Sequence, residues 1–515
     1  MKKHKISHLP ASEIDAHYAK QAEQIASLEH QLDWLKRQVF GRKSEKLLTP
    51  SNEQTELFDK DDSTAESADS IEIKSHRRKS NKQLSGDEVN DTGLRFDDSV
   101  PQKVIELEAP ELTGDQADQY EIIDYKEQVR LGQQPGSYVV LIYRKPVVRH
   151  KTKETVRTVP TPNTVLEGCY ADVSVLAGIM VDKAVYHLPL YRQHQRMLDA
   201  GVKLSRPTLT NWIQKAIELL YPIYQAQLEH ILQSKILAMD EVPIKAGRKS
   251  KGKMKQTYYW PIYGEQDEIA FTWSQNRGFL HAKNQLTGFN GTLLTDGYAA
   301  YTKTVNQLNE QNQSVTHASC WAHCRRYFEK SLKMEPELAE YALLKIAVLY
   351  QVEQYIREEK LDEQSALEYR QKHAEPVIEA FFNWIYEQRQ RPELLPSNPI
   401  SKALQYADER YHQLKVYLGD ANVPIDTNHL ERALRVIPMG RKNYLFCWSE
   451  LGAEHMGVLQ SLMVTCRLLG INPYHYLVDV LQRVSLHPAK DVIDLTPRVW
   501  KDKFKDLLLT SGLVD

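Results

Sequence analysis

Two short apolar segments of the chain each run directly into an aspartate. ILAM precedes Asp240, and GTLLT precedes Asp296. An apolar strand is buried, so a carboxylate at its end lies where the core opens to solvent, which is a common position for a metal ligand. One such aspartate is weak evidence. Two of them, with the strand-like segments QTYYWPIYG and EIAFTWS between, constrain the fold far more.

The order of these segments resembles the ribonuclease-H arrangement, in which the first strand and a later neighbouring strand bring their acids side by side. Two carboxylates that close repel each other unless a divalent cation lies between them. Such a site needs a third acid. The sequence offers Glu431, on a predicted helix that Asp426 or Thr427 can cap. Asn428, Glu431 and Arg435 share one face of that helix.

An ordinary surface helix is the alternative interpretation of this segment. The GRKN sequence at 440–443 favours a site, because we expect a flexible glycine and two bases, Arg441 and Lys442, directly after the helix and facing a phosphate backbone. The segment from about Ser331 to Tyr411 is rich in Leu, Glu, Ala, Lys and Gln at helical spacing. It predicts an all-helical insertion between the second and third acids.

Upstream of the strands, the sequence predicts two helices joined by a tight turn. One helix ends near Asp199, the turn is at Ala200–Gly201, and Ser205 caps a second helix with Pro207 in its first turn. This pattern is typical of a helix-turn-helix, although many two-helix units never contact DNA. The polar side chains that the second helix would present to DNA are Arg206, Thr208, Thr210, Asn211 and Lys215.

Two further segments are strongly basic. Residues 138–158 alternate apolar with basic side chains and predict a β-hairpin with one basic face, for which a solvated surface is the commoner explanation. The segment 247–255 predicts a basic hairpin loop between the first two strands, which beside a nuclease-like site would grip the DNA backbone. Its bases are Arg248, Lys249, Lys251, Lys253 and Lys255.

The N-terminal segment has a different character. Residues 11–39 have apolar side chains at coiled-coil spacing, with Gln21 the polar exception in the seam. We favour self-association, and a helix packed on its own domain is the alternative. Residues 51–75 hold eight acids against two bases, which predicts a disordered linker.

Composition limits the class of protein. The 66 basic and 68 acidic residues nearly cancel, but nucleic-acid binding depends on where positive charge lies rather than on its sum. Five cysteines in 515 residues exclude a disulfide scaffold and favour a reducing compartment. The basic N-terminus lacks the apolar stretch of a secretory signal, and no window approaches the ~20 apolar residues of a membrane span. We therefore expect a cytoplasmic protein that does not contact the membrane.

A histidine and cysteine cluster in HASCWAHCRR could in principle bind zinc. Its spacing is tight, so we favour packing, or positioning of DNA by His323, Arg325 and Arg326. The cluster consists of His317, Cys320, His323 and Cys324.

Several motifs, in order, resemble the DDE transposases of the insertion-sequence-66 family. They are ILAMDEVPI, TDGYAAY, CWAHCRRYF, and NHLERALR followed by GRKNYLF, with HLPLYRQ and SRPTLTNW upstream. The resemblance runs from about Pro160 to Val484. It implies that Asp240, Asp296 and Glu431 are both the catalytic triad and the metal ligands. The family also leads us to expect a cysteine-based zinc module before the helix-turn-helix, but the first cysteine is Cys169, so no zinc is expected.

The resemblance implies a two-step reaction on double-stranded DNA. Two Mg²⁺ or Mn²⁺ ions, about 3.5–4 Å apart, would activate the attacking oxygen and stabilise the leaving one. Oxygen-only ligation suits these ions better than zinc. Water would first release a 3′-hydroxyl at the element end, and that hydroxyl would then attack target DNA. Bound to DNA, the protein would be associated with the nucleoid.

The expected partners are element-end and target DNA, a second copy through the coiled coil, and accessory proteins of the same element. A catalytically inactive end-binding repressor and a structure-selective nuclease on the same fold are the alternative functions.

The predicted fold class is multidomain α/β. It has a ribonuclease-H-like core with an all-helical insertion, preceded by a helix-turn-helix region, a small β-hairpin region and an N-terminal coiled coil. The predicted segments are 1–48 (coiled coil and basic segment), 49–118 (linker), 119–165 (small basic β region), 166–232 (helix-turn-helix region), 233–330 (first part of the core), 331–412 (helical insertion), 413–485 (second part of the core) and 486–515 (C-terminal tail).

Overall fold

The structure is a computed structural model, and it describes six stretches of the chain together with Arg95, Phe96 and Leu112. All of these residues belong to one compact unit, Glu88–Asp515. The coiled coil predicted at 11–39 and the linker predicted at 51–75 lie outside the described residues, so both stay predictions. The six stretches are 100–109, 119–134, 137–151, 156–162, 164–392 and 394–513.

A small group of strands precedes the first described helix. They are β1 (Arg95–Phe96), β2 (Gln102–Glu106), β3 (Tyr120–Gln134), β4 (Ser137–His150) and β5 (Val156–Thr158). β4 pairs in parallel with β2 and antiparallel with β3 and β5. Arg144 lies 3.2 Å from Glu127, and Arg149 pairs with Glu121, so acids of β3 neutralise part of the basic face predicted for 138–158.

Three helices follow, and the second and third are joined by a tight turn. They are α1 (Val173–Ala184), α2 (Leu190–Asp199) and α3 (Arg206–Ile231). Gly201 in the turn has a φ of 79°, which glycine adopts without strain, and β6 (Val202–Lys203) then pairs with β1. Ser205 caps α3, as the sequence predicts, because its hydroxyl accepts the backbone N–H of Thr208 at 3.2 Å. The helices α2 and α3 therefore have helix-turn-helix connectivity.

The central sheet contains both aspartate-bearing segments. Its strands are β7 (Ile236–Met239), β8 (Val242–Ser250), β9 (Lys253–Tyr263), β10 (Ile269–Ser274), β11 (Gly291–Thr295) and β12 (Val315–Ser319). They are arranged in the order β10, β9, β7, β11, β12, with β8 paired to β9. β11 is parallel to both β7 and β12, with Leu237 opposite Leu293, whereas β9 runs antiparallel to β7, β8 and β10. The carboxyl ends of β7 and β11 therefore meet at one edge of the sheet.

The remaining helices cover the sheet or form the helical insertion. Up to the end of the insertion they are α4 (Phe279–Gln285), α5 (Ala299–Glu310), α6 (Trp321–Ser331), α7 (Pro336–Glu358), α8 (Glu363–His373), α9 (Glu375–Arg389), α10 (Pro399–Asp408) and α11 (Tyr411–Lys415). After it come α12 (Asn428–Leu434), α13 (Val436–Tyr444), α14 (Glu450–Leu468), α15 (Pro473–Arg483) and α16 (Pro497–Lys503), with 3₁₀ helices at Val416–Leu418 and Ala489–Leu495. The segment predicted as a C-terminal tail, 486–515, buries Trp500 in the main core. None of the described helices is long and apolar enough to cross a membrane.

Helices pack on both faces of the central sheet, which makes this part of the chain α/β. Leu237 and Met239 of β7 lie in one core, together with side chains of α3 and α14. Ile236 lies in a second core that the insertion helices help to form and that contains Trp321 and Phe381. A strand buried on both faces needs an unbroken apolar run, which is why ILAM is recognisable in the sequence.

The basic segment 247–255 is not the loop that the sequence predicts. It is the tip of the β8–β9 hairpin, with Lys251 and Gly252 in the turn. β8 continues through Gly247, which has a φ of 72°. A register shift between Lys245 and Arg248 keeps the strand paired with β9 there. Three described strands therefore separate the two aspartates, where the sequence predicted two.

The GRKN segment at 440–443 was also predicted wrongly, because it lies inside α13 and not in a flexible connection after a helix. α12 gives way to α13 at Arg435, so the single helix predicted here is divided. Gly440 serves close packing, since a Cβ at this position would lie 2.5 Å from the ring of Tyr444. The two bases of the segment are thus held on a helix.

Candidate active site

Three carboxylates meet at the edge where β7 and β11 end. Asp240 follows β7, Glu241 comes next in the chain, and Asp296 follows β11. One oxygen from each of the three lies within 4.8 Å of the others. Within the described stretches, no other set of acidic, histidine or cysteine side chains forms such a group. The parallel pairing of β7 and β11 is what brings Asp240 and Asp296 together.

Asp240 lies at the electrostatic centre of this cluster. Burial and the neighbouring carboxylates of Glu241, Asp296 and Glu431 raise its pKa to about 8, although the backbone N–H of Glu241 donates to Asp240 Oδ1 at 2.7 Å and acts in the opposite direction. Asp240 therefore holds a proton at neutral pH unless a cation replaces it.

Hydrogen bonds from Tyr298 and from Thr295, the last residue of β11, hold Asp296 in place. Its Oδ1 accepts the backbone N–H of Tyr298 at 2.8 Å. The Thr295 hydroxyl donates to the Asp296 carbonyl oxygen at 2.8 Å and also lies 2.9 Å from His317 Nε2. Burial lowers the pKa of His317 to about 4, so this ring is neutral at pH 7. These contacts fix the direction of the strand end that carries Asp296.

Both carboxylate oxygens of Glu241 already have partners. Oε1 accepts from Arg277 Nε at 2.7 Å, and Oε2 accepts from the hydroxyl of Tyr301 at 2.7 Å. The Arg277 guanidinium lies 3.9 Å from the ring centroid of Tyr298, whose hydroxyl donates to the Arg277 carbonyl oxygen at 2.9 Å. Glu241 thus holds an arginine beside the two aspartates.

No motif in the sequence predicted this network. Glu241 directly follows Asp240, and Tyr301 ends the TDGYAAY motif, so both had a sequence signal. Arg277 had none, because only the folded sheet brings it to Glu241.

Glu431 reaches the same region from α12. The helix begins where Asp426 Oδ1 accepts the backbone N–H of Asn428 at 2.9 Å, whereas Thr427 makes no side-chain cap. Glu431 Oε2 forms an ion pair with Arg326 of α6. Glu431 Oε1 is buried and has no hydrogen-bond partner, and His323 Nε2 lies 3.7 Å from it. The third predicted acid thus lies outside the group of three carboxylates that approach within 4.8 Å of one another, although it acts electrostatically on Asp240 and one of its oxygens has no hydrogen-bond partner.

The predicted DNA-contacting side chains differ in how available they are. Arg325 pairs with Glu329 at 2.7 Å, Asn428 Nδ2 donates to Asp426, and Arg441 donates to the Pro243 carbonyl oxygen. Thr208 and Thr210 are half-buried. The exposed members of the set are Arg206, Asn211, Lys215, Arg248, Lys249, Lys251, Arg325, Arg326, Arg435 and Lys442, of which Arg325 and Arg326 are engaged in ion pairs.

The histidine and cysteine cluster is packed into the fold. Cys320 Sγ accepts hydrogen bonds from the backbone N–H and the hydroxyl of Thr427, both at 3.3 Å. Burial raises the pKa of the Cys320 thiol to about 11 and raises that of Cys324 further. Both side chains are therefore thiols at neutral pH, engaged in packing α6 against the start of α12.

A cluster of carboxylates at the edge of a mixed sheet, beside exposed bases, is typical of proteins that process nucleic acids. Comparison with known proteins identifies the family within this class. Residues 168–455, more than half of the chain, match the model described as "Transposase IS66 family", and residues 461–498 match "IS66 C-terminal element". Residues 27–86, which lie outside the described residues, match "Transposase C of IS166 homeodomain". The chain belongs to the IS66 family of transposases.

Three relatives come from Sinorhizobium fredii (strain NBRC 101917 / NGR234). The uncharacterized protein y4jD is 30% identical over 337 residues, which is 63% of this chain and 65% of the relative. The uncharacterized protein y4qI is 26% identical over 77% of this chain and 75% of the relative. The uncharacterized protein y4hP is 28% identical over 68% and 66%. The chain thus spans just under two thirds of two of these relatives and three quarters of the third.

Proposed function

We propose that this chain is a DNA transposase that binds the ends of an insertion sequence, cuts a strand there and joins it to target DNA. Asp240, Asp296 and Glu431 are its catalytic carboxylates. The observation that carries this proposal is the close approach of Asp240 and Asp296 at the ends of the paired strands β7 and β11, where their carboxylates and that of Glu241 lie within 4.8 Å of one another. Burial and these carboxylates, with that of Glu431, raise the pKa of Asp240. Such a concentration of negative charge favours a bound cation.

The strand order supports a ribonuclease-H-like core. β7, β9 and β10 form an antiparallel series, and β11 and β12 continue the sheet in parallel on the other side of β7. This arrangement brings the first strand beside the strand that ends at Asp296, as the ribonuclease-H resemblance requires. The helical insertion lies between β12 and α12, so it extends the fold without interrupting the sheet.

The donor set fits a hard divalent cation. Its candidate ligands are carboxylate oxygens, which suit Mg²⁺ or Mn²⁺. Asp240 and Asp296 would hold the ions together with Glu431, whose Oε1 is buried and without a partner. Glu241 is the poorer candidate because Arg277 and Tyr301 occupy both of its oxygens. Bound as a pair, such ions supply activation of the attacking oxygen and neutralise charge on the leaving oxygen.

The protein side chains around the acids orient the substrate. Asp296 is fixed by the Tyr298 N–H, so its free oxygen keeps one direction. Arg277, held by Glu241 and by the Tyr298 ring, presents a partly exposed guanidinium beside the aspartates. A guanidinium in this position would bind a phosphate next to the scissile bond.

The DNA would extend from the acids over two basic surfaces. The β8–β9 tip supplies exposed Arg248, Lys249 and Lys251, whose contacts are to phosphates and independent of sequence. The exposed polar side chains at the start of α3 would supply recognition of the element end.

Strand cleavage and strand transfer, measured separately, test this function. The purified chain is incubated in Mg²⁺ with DNA from the flanks of its own gene, and with precut ends plus a target plasmid. A transposase cuts the ends and joins the precut ends to the plasmid. A structure-selective nuclease cuts without joining, and a repressor binds the ends without cutting, so either result would overturn the proposal. The Asp240→Asn variant is the control, and it should bind the ends without cutting them.

A further inference from the structure

The connection between α13 and α14 forms a short apolar ridge, Leu445–Trp448, on the surface. Leu445 is 64% exposed and Trp448 is 69% exposed. Burying side chains of this size is favourable, so a large exposed tryptophan beside an exposed leucine is typical of a contact surface.

The backbone of the ridge is strained and rigid. Leu445 has φ 63° and ψ −47°, and the Phe446 N–H donates to the Tyr444 carbonyl oxygen at 2.7 Å, which closes a γ-turn of the rare positive-φ type. A leucine in this conformation is costly and persists only where the surroundings enforce it. The Cys447 N–H donates to the Lys245 carbonyl oxygen at 2.8 Å, which fastens the ridge to β8.

The aromatic side chain at the end of the ridge is supported from below. The rings of Phe446 and Trp448 pack edge to face with centroids 5.1 Å apart. The Gly247 N–H donates to the Cys447 carbonyl oxygen at 3.2 Å, a second link between ridge and hairpin. Trp448 is therefore an exposed aromatic platform on a fixed base.

Basic side chains predominate around the ridge, although Glu450 follows it directly. Residues 242–255 hold six bases and no acid, and residues 435–449 hold three bases and no acid. Lys255 Nζ lies 2.6 Å from Glu450 Oε1, which ties the hairpin to the start of α14 directly after the ridge. Protein interfaces are depleted in lysine, whereas an aromatic platform among bases is typical of surfaces that bind unpaired nucleotides.

The chain connects this surface to the candidate acids at both ends. β8 begins at Val242, immediately after Asp240 and Glu241, and α13 follows the helix that carries Glu431. The ridge is bonded to β8 at Lys245 and Gly247, between the acids and the β8–β9 tip, so DNA held at the acids and gripped by the tip would run past the ridge.

We propose that Trp448 stacks on an unpaired DNA base beside the site of strand cleavage, with Leu445 as a wedge that keeps this base out of the double helix. This inference rests on the proposed function, because it places the ridge along the DNA that the acids cut. Stacking on an aromatic ring tolerates any base, so the ridge adds affinity for unpaired DNA without adding sequence preference.

The test compares a forked DNA, a duplex with short unpaired arms, with a fully paired duplex of the same length. Binding is measured by fluorescence anisotropy in EDTA, with 2-aminopurine in the unpaired arm as a second reporter. Trp448→Ala should weaken binding to the fork about 10-fold and change duplex affinity by less than about 2-fold. The wild type should quench the 2-aminopurine, and Trp448→Ala should not.

Three variants serve as controls. Trp448→Phe keeps an aromatic ring and should retain most of the affinity for the fork. Leu445→Gly removes the wedge, while glycine accepts the positive φ, so it should fold normally and quench 2-aminopurine less in a duplex with a single mismatch. Tyr386→Ala removes another exposed aromatic ring, 67% exposed on α9, and should change neither reporter.

Two results would overturn this inference. One is equal binding of fork and duplex by wild type and Trp448→Ala. The other is a change of oligomeric state in Trp448→Ala, seen by light scattering with DNA binding unchanged, which would make the ridge a contact between copies. If the wild type cuts DNA but fails this test, only this inference is wrong. If it quenches 2-aminopurine through Trp448 but never cuts DNA in Mg²⁺, the proposed function is wrong instead.

Discussion

The guanidinium of Arg326 forms an ion pair with the carboxylate of Glu431 and so joins α6 to α12. The same arginine lies 3.2 Å from His323 Nε2, and that ring lies beside the free oxygen of Glu431. Arg326 thus supplies the positive charge that Glu431 needs while no cation is bound. If Glu431 binds a cation through Oε1, as proposed, the cation and Arg326 on Oε2 would share the charge of one carboxylate.

Replacement of Arg326 by Gln should make the chain depend more on a divalent cation. Without the guanidinium, Glu431 loses its ion pair, so the cation-free protein should lose about 0.5–1 kcal/mol of stability. The increase in melting temperature on adding Mg²⁺ should be larger than in the wild type. Arg325→Gln is the matched control, because Arg325 pairs with Glu329 on the same helix. Equal Mg²⁺ responses in all three proteins would show that Arg326 and the cation do not compete.

The Glu241→Gln variant tests whether Glu241 binds a metal ion or only supports the side chains around the aspartates. Since Arg277 and Tyr301 occupy both oxygens of Glu241, we expect the cleavage rate to fall about 10-fold with little change in the Mg²⁺ concentration that gives half-maximal rate. Tyr301→Phe removes one of these contacts and should have a smaller effect in the same direction. Initial cleavage rates across a Mg²⁺ titration measure this. A large rise in the Mg²⁺ requirement of Glu241→Gln would make Glu241 a ligand.

Neutralising the β8–β9 tip should weaken DNA binding regardless of sequence. With Arg248, Lys249 and Lys251 replaced by Gln, the slope of log affinity against log salt should fall in magnitude by about 2–3, since each phosphate contact contributes about 0.9. Binding of end DNA and unrelated DNA, titrated with salt, provides the measurement. A matched triple variant uses exposed lysines of the helical insertion, Lys360, Lys372 and Lys402. If both triple variants keep the wild-type slope, the tip does not contact DNA.

Stability should decrease with acidification through a buried histidine. Burial lowers the pKa of His455 in α14 to about 4, compared with about 6.5 in an unfolded chain. Below pH 6.5 the unfolded chain binds a proton that the folded chain excludes. Above pH 6.5, His455 does not change the free energy of unfolding. Between pH 6.5 and 4, it lowers the free energy of unfolding by up to about 1.4 kcal/mol for each unit that the pH falls.

Urea unfolding at several pH values measures this effect. His455→Gln should flatten the decrease of stability between pH 6.5 and 4.5, whereas substitution of the exposed His412 by Gln should not. A wild-type slope in His455→Gln would mean that other groups cause the acid sensitivity.

The sequence predicted those features that depend on local chemistry. ILAM was recognisable because a strand buried on both faces needs an unbroken apolar run, and GTLLT because its apolar and β-branched side chains lead directly to Asp296. Ser205 was recognised as a helix cap because a hydroxyl two or three residues before a free N–H satisfies it locally.

The features that the sequence did not predict depend on contacts between distant segments. Gly247 suggested a loop, but pairing with β9 and with Cys447 keeps β8 extended through it. Gly440 suggested flexibility, whereas it makes room for the Tyr444 ring inside a helix. Arg277 carries no signal of its own, since only the folded sheet brings it to Glu241.

Strand cleavage by single carboxylate variants tests the central claim most directly. Asp240→Asn, Asp296→Asn and Glu431→Gln are compared with the wild type on element-end DNA in Mg²⁺, with end binding measured in parallel. The account predicts that each variant binds DNA within about 2-fold of the wild type and cuts it at least about 1,000-fold more slowly. Cleavage at the wild-type rate by any one of the three would contradict it.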